Sequence, residues 1–370
     1  MARPQLGAPP TRPLDSPRLR DALPAFTPRR LALEGRVSAP FDVVGLGDSL
    51  FSGQGVTGTA RRWPFRAVEA LRAALPTPNV RGGIGWVPAR FAHTVTGGDQ
   101  FVWQGYVAGA DTGITRMAQA MGPDSGAGVG RATLSVRCTS VRFEFSRAGN
   151  DSFSIATDGG TPVQITAGPT GVWYWTSSQL TSGPHTFVIA QTGGVPQLNG
   201  GMVYDGDENS GIRYWDAARS GSEASQNTAQ EGSAAWADSL GTLVTPDLFL
   251  VEWMTNDSAS KTPTAYRTSL GNLRTLIRTK SAAPILWIAP WERTDGLVNA
   301  AGWAAYVDAM RGAAAADANS KFLNVADYVP RLSTQADRDG VLSDTLHPTD
   351  AFAGYVGQLT ADWVRTVWAS

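Results

Sequence analysis

In 370 residues there are one cysteine, three histidines and a small share of charge. The single thiol, Cys138, cannot form an internal disulfide. It lies in "ATLSVRCTSVRFEF", where a buried thiol acts as a small hydrophobe. Charged residues make up 17% of the chain, against roughly 25% in ordinary globular domains. The formal net charge is -1, so no global field favours nucleic acid or an anionic membrane surface. No apolar run approaches the ~20 residues of a membrane span. The opening "MARPQLGAPPTRPLDSPRLR" has arginines but no apolar core of a secretory signal. The expectation is a soluble protein that, if it works outside a cell, travels there without a standard export signal. A cytoplasmic site stays open.

What is plentiful is glycine (41) and tryptophan (13), a mix that suits a loop-rich, partly all-β protein with aromatic surfaces or an aromatic core. Residues 1–40 hold eight prolines and seven arginines against three acidic residues. They read as an extended arm or tether rather than a core element. From residue 41 the pattern is α/β. Short apolar runs in "FDVVGLG", "GIRYWDAA", "PDLFLVEWM", "APILWIAP" and "KFLNVADY" predict five strands. "RRWPFRAVEALRAALPTP" predicts the first helix, and helical spacing recurs at 222–239, 262–281, 297–317 and 350–368. Strands alternating with helices predict a parallel, doubly wound sheet.

Residues 81–205 break that pattern. "ATLSVRCTSVRFEFSR", "DSFSIATDGGTPVQITAG", "GVWYWTSSQL" and "PHTFVIAQTGG" alternate apolar with polar and are punctuated by Gly-rich turns. They predict an antiparallel β-sandwich or jelly roll inserted in the α/β domain, which would then comprise 41–80 and 206–370.

The chemistry starts at "VVGLGDSLFSGQG", a buried strand that runs into a glycine-flanked serine, Ser49. In open α/β sheets the carboxyl ends of the strands are where ligands bind. Gly45, Gly47 and Gly53 are expected to let the backbone turn tightly and leave the hydroxyl open to solvent. A serine hydroxyl needs a base. His185 sits in turn-to-strand text of the insert and reads as structural. His93, in "RFAHTVTGG", has no carboxylate near in sequence. His347, in "SDTLHPTDAFAGY", has Asp344 three residues upstream in a loop after the fifth strand, where one turn can aim both side chains together. Donors for an oxyanion are also at hand. These are the Ser49 N–H, the Asn256 amide of "VEWMTND", and the Gly221 N–H of "DAARSGSEASQ", just before an expected helix.

This set resembles the SGNH hydrolase superfamily, the GDSL esterases. Its four blocks are matched by "GLGDSL" with Ser49, "AARSG" with Gly221, "TND" with Asn256 and "DTLH" with Asp344 and His347. The likeness spans about 41–80 and 206–368. It implies a flavodoxin-like α/β/α fold, ester hydrolysis through an acyl-enzyme without metal or cofactor, and an oxyanion hole from serine, glycine and asparagine. The chain departs from the family pattern in its long insert and in Met254, which precedes the "TND" block where a glycine-led form is common. Asp48 is expected to brace the serine loop. It and Trp291, in "IAPWERTDG", are the candidates for substrate contact.

The substrate expected is an acylated glycan of a bacterial envelope, losing short O-acyl groups. Aromatics in "GVWYWTSS", "FVWQGY" and "RGGIGW" suit sugar stacking or a sandwich core. The alternatives are a lipase on longer acyl esters and a tail module that binds glycan without turnover. The glycine-rich insert text resembles actinobacterial and phage tail-associated members, and the basic arm would then meet other virion proteins.

Overall fold

The computed structural model describes residues 39–89, 101–104, 106–107, 122–123, 130–147, 151–166, 171–194, 197–228, 235–298, 300–329, 332 and 339–369. The arm to residue 38 and His93 lie outside the described residues. The chain enters with β1 (Pro40–Gly47), a single helical turn α1 (Ser49–Ser52) and α2 (Trp63–Ala74). Among the described residues eleven strands follow before the α/β pattern resumes. They are β2 (Gly85–Pro88), β3 (Phe101–Gln104), β4 (Tyr106–Val107), β5 (Gly122–Pro123), β6 (Arg131–Cys138) and β7 (Ser140–Arg147). Next come β8 (Ser152–Thr157), β9 (Val163–Ile165), β10 (Gly171–Thr176), β11 (Gly183–Gly193) and β12 (Gln197–Tyr204). The remainder is β13 (Gly211–Asp216), β14 (Leu248–Glu252), α3 (Thr255–Ser260), α4 (Pro263–Lys280), β15 (Ile285–Ala289), α5 (Ala300–Ala315), β16 (Ser320–Asn324) and α6 (Asp350–Ala369).

Strands β13-β1-β14-β15-β16 form one sheet in that order, every pair parallel. Numbered within the sheet this is 2-1-3-4-5, the flavodoxin-like order. The runs are apolar on both faces because both faces are covered. Phe41, Val43, Leu250, Leu286 and Ile288 meet α2 and α6 on one side. Val44, Leu46, Phe249, Val251 and Trp287 meet α4 and α5 on the other. The three-layer α/β/α architecture expected from the sequence is therefore present.

Two antiparallel sheets, β10-β7-β12-β2 and β3-β6-β11-β8-β9, face each other across a third core. Phe145 stacks on Phe153 across it at 3.9 Å between centroids, and Phe143 meets Phe187 edge-on at 5.7 Å. The insert is also fastened to the α/β layers. Trp86 of β2 stacks on Trp215 of β13 at 5.8 Å, and Met202 and Tyr204 of β12 join the same core. Arg72 of α2 donates to the Gly83 and Ile212 carbonyls at 2.8 Å each and pairs with buried Asp207.

Among the described residues of 222–239 the expected α-helix is absent; they hold two 3-10 turns, Ser225–Asn227 and Ala235–Ser239. Short polar side chains bind the backbone locally instead: Ser222 Oγ to Arg219 O at 2.7 Å, Asn227 Nδ2 to Glu223 O at 2.8 Å, and Thr228 Oγ1 to Ser225 O at 2.9 Å. Such bonds compete with the helical ladder. Trp86 and Trp236 share the core behind these turns.

Candidate active site

Strand β1 ends against its neighbours, and the chain turns at Asp48. The Asp48 carboxylate caps α1, accepting from the Leu50 N–H at 2.9 Å. Gly53 closes the turn at φ 88°, a left-handed conformation that suits glycine. Gly45 and Gly47 serve a different purpose from the expected tight turn. Both are strand residues, and a Cβ on Gly45 would sit 2.6 Å from both Phe51 and Tyr214. On Gly47 it would sit 2.7 Å from the Glu252 carbonyl. They are glycines because the turn folds back onto its own strand. Ser49 is accordingly buried, 4% exposed, rather than open to solvent.

The structure brings three of the sequence-selected side chains into one hydrogen-bonded row. His347 Nε2 lies 2.9 Å from Ser49 Oγ, and His347 Nδ1 lies 2.7 Å from Asp344 Oδ2. The second Asp344 oxygen accepts the Leu346 and His347 N–H groups, each at 2.7 Å, so the same turn that presents the imidazole also aims the carboxylate at it. Burial works to raise the Asp344 pKa, but these N–H groups and the imidazole outweigh it and hold the carboxyl below its ordinary value. The Asp344 charge therefore faces the ring nitrogen remote from Ser49, the position from which a carboxylate stabilises an imidazolium.

The loop that carries Gly221 is tied to Asn256 through Ser222, and to the serine strand through Arg219. Arg219 N–H donates to Gly47 O at 2.9 Å, which keeps the loop after β13 beside the serine strand. Gly221 has φ 75° and open space where a Cβ would stand. The described residues that follow it hold a 3-10 turn and not the expected α-helix, so among them its N–H has no α-helix terminus behind it. Asn256 lies in the first turn of α3 and donates through Nδ2 to Ser222 O at 3.0 Å, with Asp48 Oδ2 at 3.5 Å. The Trp253 indole holds the same loop through Ser222 Oγ at 2.9 Å.

Beneath the serine turn lies a group of buried acids. Burial pushes Asp48 up to about 7, against bonds from Leu50, Glu252 and Asn256 and the charge of Arg293. Burial also raises Glu252 well above the carboxylate range, aided by the neighbouring Asp48 charge, and lifts Asp257 to about 7. Asp48 is fully buried, so it braces the turn and does not face a substrate. Among the described residues no group of three or more His, Cys, Asp or Glu is placed to hold a metal.

Trp291 is placed otherwise than expected. It is 1% exposed, packs edge-on to Phe352 at 4.8 Å, and donates its indole N–H to Leu346 O at 2.9 Å. Its ring offers no platform for a sugar; it supports the loop that carries His347. Of the insert aromatics Trp86 and Phe101 are buried, and Trp103, Trp173, Tyr174 and Trp175 are half-buried. Trp173 and Trp175 pack against the sandwich core, with Trp175 stacked on Phe143 at 5.9 Å. Tyr174, one residue out of phase, packs on the α/β side under the Arg142 guanidinium at 4.2 Å. His185 bonds to Asp158 at 2.7 Å and to the Thr181 carbonyl at 2.8 Å, a local role as expected.

Two supports were not singled out in the sequence. Gly55, at φ 94°, passes so close to the histidine loop that a Cβ would lie 2.9 Å from His347 Cβ and 2.7 Å from Pro348 O. Arg293 is buried and donates to the Thr255 carbonyl, at the start of the Asn256 turn. The first could have been sought as a further glycine in the serine block. The second had no local signal, since its partner lies 38 residues away.

No family model and no curated protein matches the sequence. Among solved structures, a peptidoglycan O-acetylesterase aligns at TM-score 0.69 with 14% identity, covering 93% of this chain and 96% of that one. Family two carbohydrate esterases from Corynascus thermopiles and Cellvibrio japonicus align at TM-scores of 0.35 and 0.31. Their identities are 15% and 12%, over 73% and 77% of this chain and 100% and 98% of theirs. The chain shares its fold with the first of these over nearly the whole of both molecules, sandwich included.

Proposed function

We propose that this chain is a serine esterase of the SGNH type that removes short O-acyl groups, acetyl first, from an envelope glycan. The 2.9 Å approach of His347 Nε2 to Ser49 Oγ, with Asp344 on the opposite ring nitrogen, carries the reading. His347 takes the Ser49 proton as Oγ attacks the ester carbonyl carbon. The negative oxygen that forms is met by the Ser49 and Gly221 N–H groups and by an Asn256 amide hydrogen. The tetrahedral intermediate collapses, the C–O bond to the alcohol breaks, and His347 protonates the leaving oxygen. Water then attacks the acyl-serine by the same route and releases the acid. The shared fold with a peptidoglycan O-acetylesterase makes an O-acetylated envelope glycan the first polymer to test.

Ser49→Ala is expected to abolish hydrolysis of 4-nitrophenyl acetate and to leave the unfolding temperature near that of the native chain. Retained turnover overturns the assignment. A fluorophosphonate probe should label the native chain at Ser49 and leave Ser49→Ala unlabelled. Among nitrophenyl esters, a rate maximum at long acyl chains would overturn the short-acyl reading while keeping the esterase.

A further inference from the structure

The segment after β15 reaches both halves of the site. Trp291 Nε1 donates to Leu346 O at 2.9 Å, and Thr294 donates to Thr345 O through its N–H at 3.2 Å and its Oγ1 at 2.6 Å. These bonds hold the loop that presents Asp344 and His347. Between them in sequence, Arg293 turns the other way. Its Nη1 donates to the Thr255 carbonyl at 2.6 Å and to Ser258 Oγ at 3.2 Å. Its Nε and Nη2 pair with the two oxygens of Asp295, Nε at 2.8 Å. The guanidinium is 5% exposed, so the fork is fixed from both sides. The residue it grips, Thr255, directly precedes Asn256 at the start of α3.

We propose that Arg293 is a positioning residue. It holds the Thr255–Asn256 turn so that the Asn256 amide, which donates to Ser222 O at 3.0 Å with Asp48 Oδ2 at 3.5 Å, stays beside the serine turn where the oxyanion forms, and it locks that turn to the segment that braces His347. This rests on the esterase reading above and deepens it. Arginine suits the task because its planar donors reach two partners in a set geometry. A lysine keeps the charge but puts its three donors on one nitrogen, so it cannot match the separate Nη1 bond to Thr255 and the Nε and Nη2 fork on Asp295. Displacing a donor by a fraction of an ångström costs more in the transition state than in the ground state, because the charge appears only there.

The test is a double-mutant cycle on the full chain with 4-nitrophenyl acetate. Losing an oxyanion donor outright costs about a hundredfold or more in kcat, which sets the expectation for Asn256→Ala. Arg293→Ala is expected to lower kcat about tenfold with KM changed less than twofold, since the amide is misaimed rather than removed. In the Asn256→Ala background the same change should cost less than twofold, because the group it positions is gone. An equal fall of kcat in both backgrounds, an unchanged kcat, or a rise in KM alone overturns the proposal. If circular dichroism shows Arg293→Ala unfolded, Arg293→Lys takes its place in the cycle. A smaller fall of kcat that vanishes without Asn256 supports the proposal, and a native kcat overturns it. Ser49→Ala, run alongside, separates the two readings. Its activity would sink the esterase, whereas an inactive Ser49→Ala with an additive cycle would sink the role of Arg293 alone.

Discussion

Trp291 offers a sharp test of how the histidine loop is held. Its ring is buried against Phe352, and its only polar atom donates to the carbonyl of Leu346, the residue before His347. Trp291→Phe keeps an aromatic ring and removes the donor. Losing a neutral hydrogen bond costs about 1 kcal/mol, and Leu346 is only half-buried, so water can satisfy its carbonyl. The smaller ring leaves a void, bringing the expected loss of stability to about 1–3 kcal/mol. Trp291→Ala should cost about 3–5 kcal/mol, as for other large aromatics removed from a core. The effect on rate should be larger than on binding. A shift of about 1 Å in a reacting group can cost a hundredfold, and here the unsupported residue is the neighbour of the proposed base. With kcat and KM measured on 4-nitrophenyl acetate and on an acetylated glycan, Trp291→Phe should lower kcat on both by a similar factor and leave both KM values close to native. A higher KM for the glycan alone, with turnover of the small ester untouched, would show the ring acting as a sugar platform and refute the reasoning.

Gly221→Ala places a side chain at φ 75°, a conformation that costs an L-residue about 1–2 kcal/mol. No atom lies within 4 Å of the added carbon, so thermal unfolding should show a folded chain with a modest loss of stability, and kcat should fall more than KM. An unchanged kcat would remove Gly221 from the proposed oxyanion donors. The buried acids predict an unusual pH profile for stability. Burial raises Asp48 and Asp257 to about 7 and holds Glu252 well above its ordinary value, whereas an unfolded chain releases such protons near pH 4. The folded state thus holds more protons between these limits, and its stability should fall as pH rises through neutrality, by up to about 1.4 kcal/mol per pH unit for each proton. Denaturant midpoints measured between about pH 5 and 8 should show that slope, shallower in Glu252→Gln; an identical slope in the variant would refute the assignment.

The parts of this protein that were legible in sequence are those set by short-range chemistry. Five apolar runs bounded by turn residues are buried on both faces in any compact arrangement, so strands were readable and their alternation with helices implied a parallel sheet. Asp344 and His347 share one turn, and backbone bonds to the same carboxylate fix that turn locally. Helix 222–239 was misread because spacing of apolar residues says nothing about Ser222, Asn227 and Thr228, whose side chains take the backbone for themselves.

Other features were decided only by distant segments meeting. The approach of His347 to Ser49 joins positions 298 residues apart, through loops packed so tightly that Gly55 has no room for a side chain. Whether an aromatic is core or surface was equally a tertiary matter. Nothing within "IAPWERTDG" tells that Phe352 will lie against Trp291, or that Arg293 will find the Thr255 carbonyl. Composition and pattern select which residue types can do chemistry; burial and aim arise from close packing of elements whose partners the local sequence does not encode.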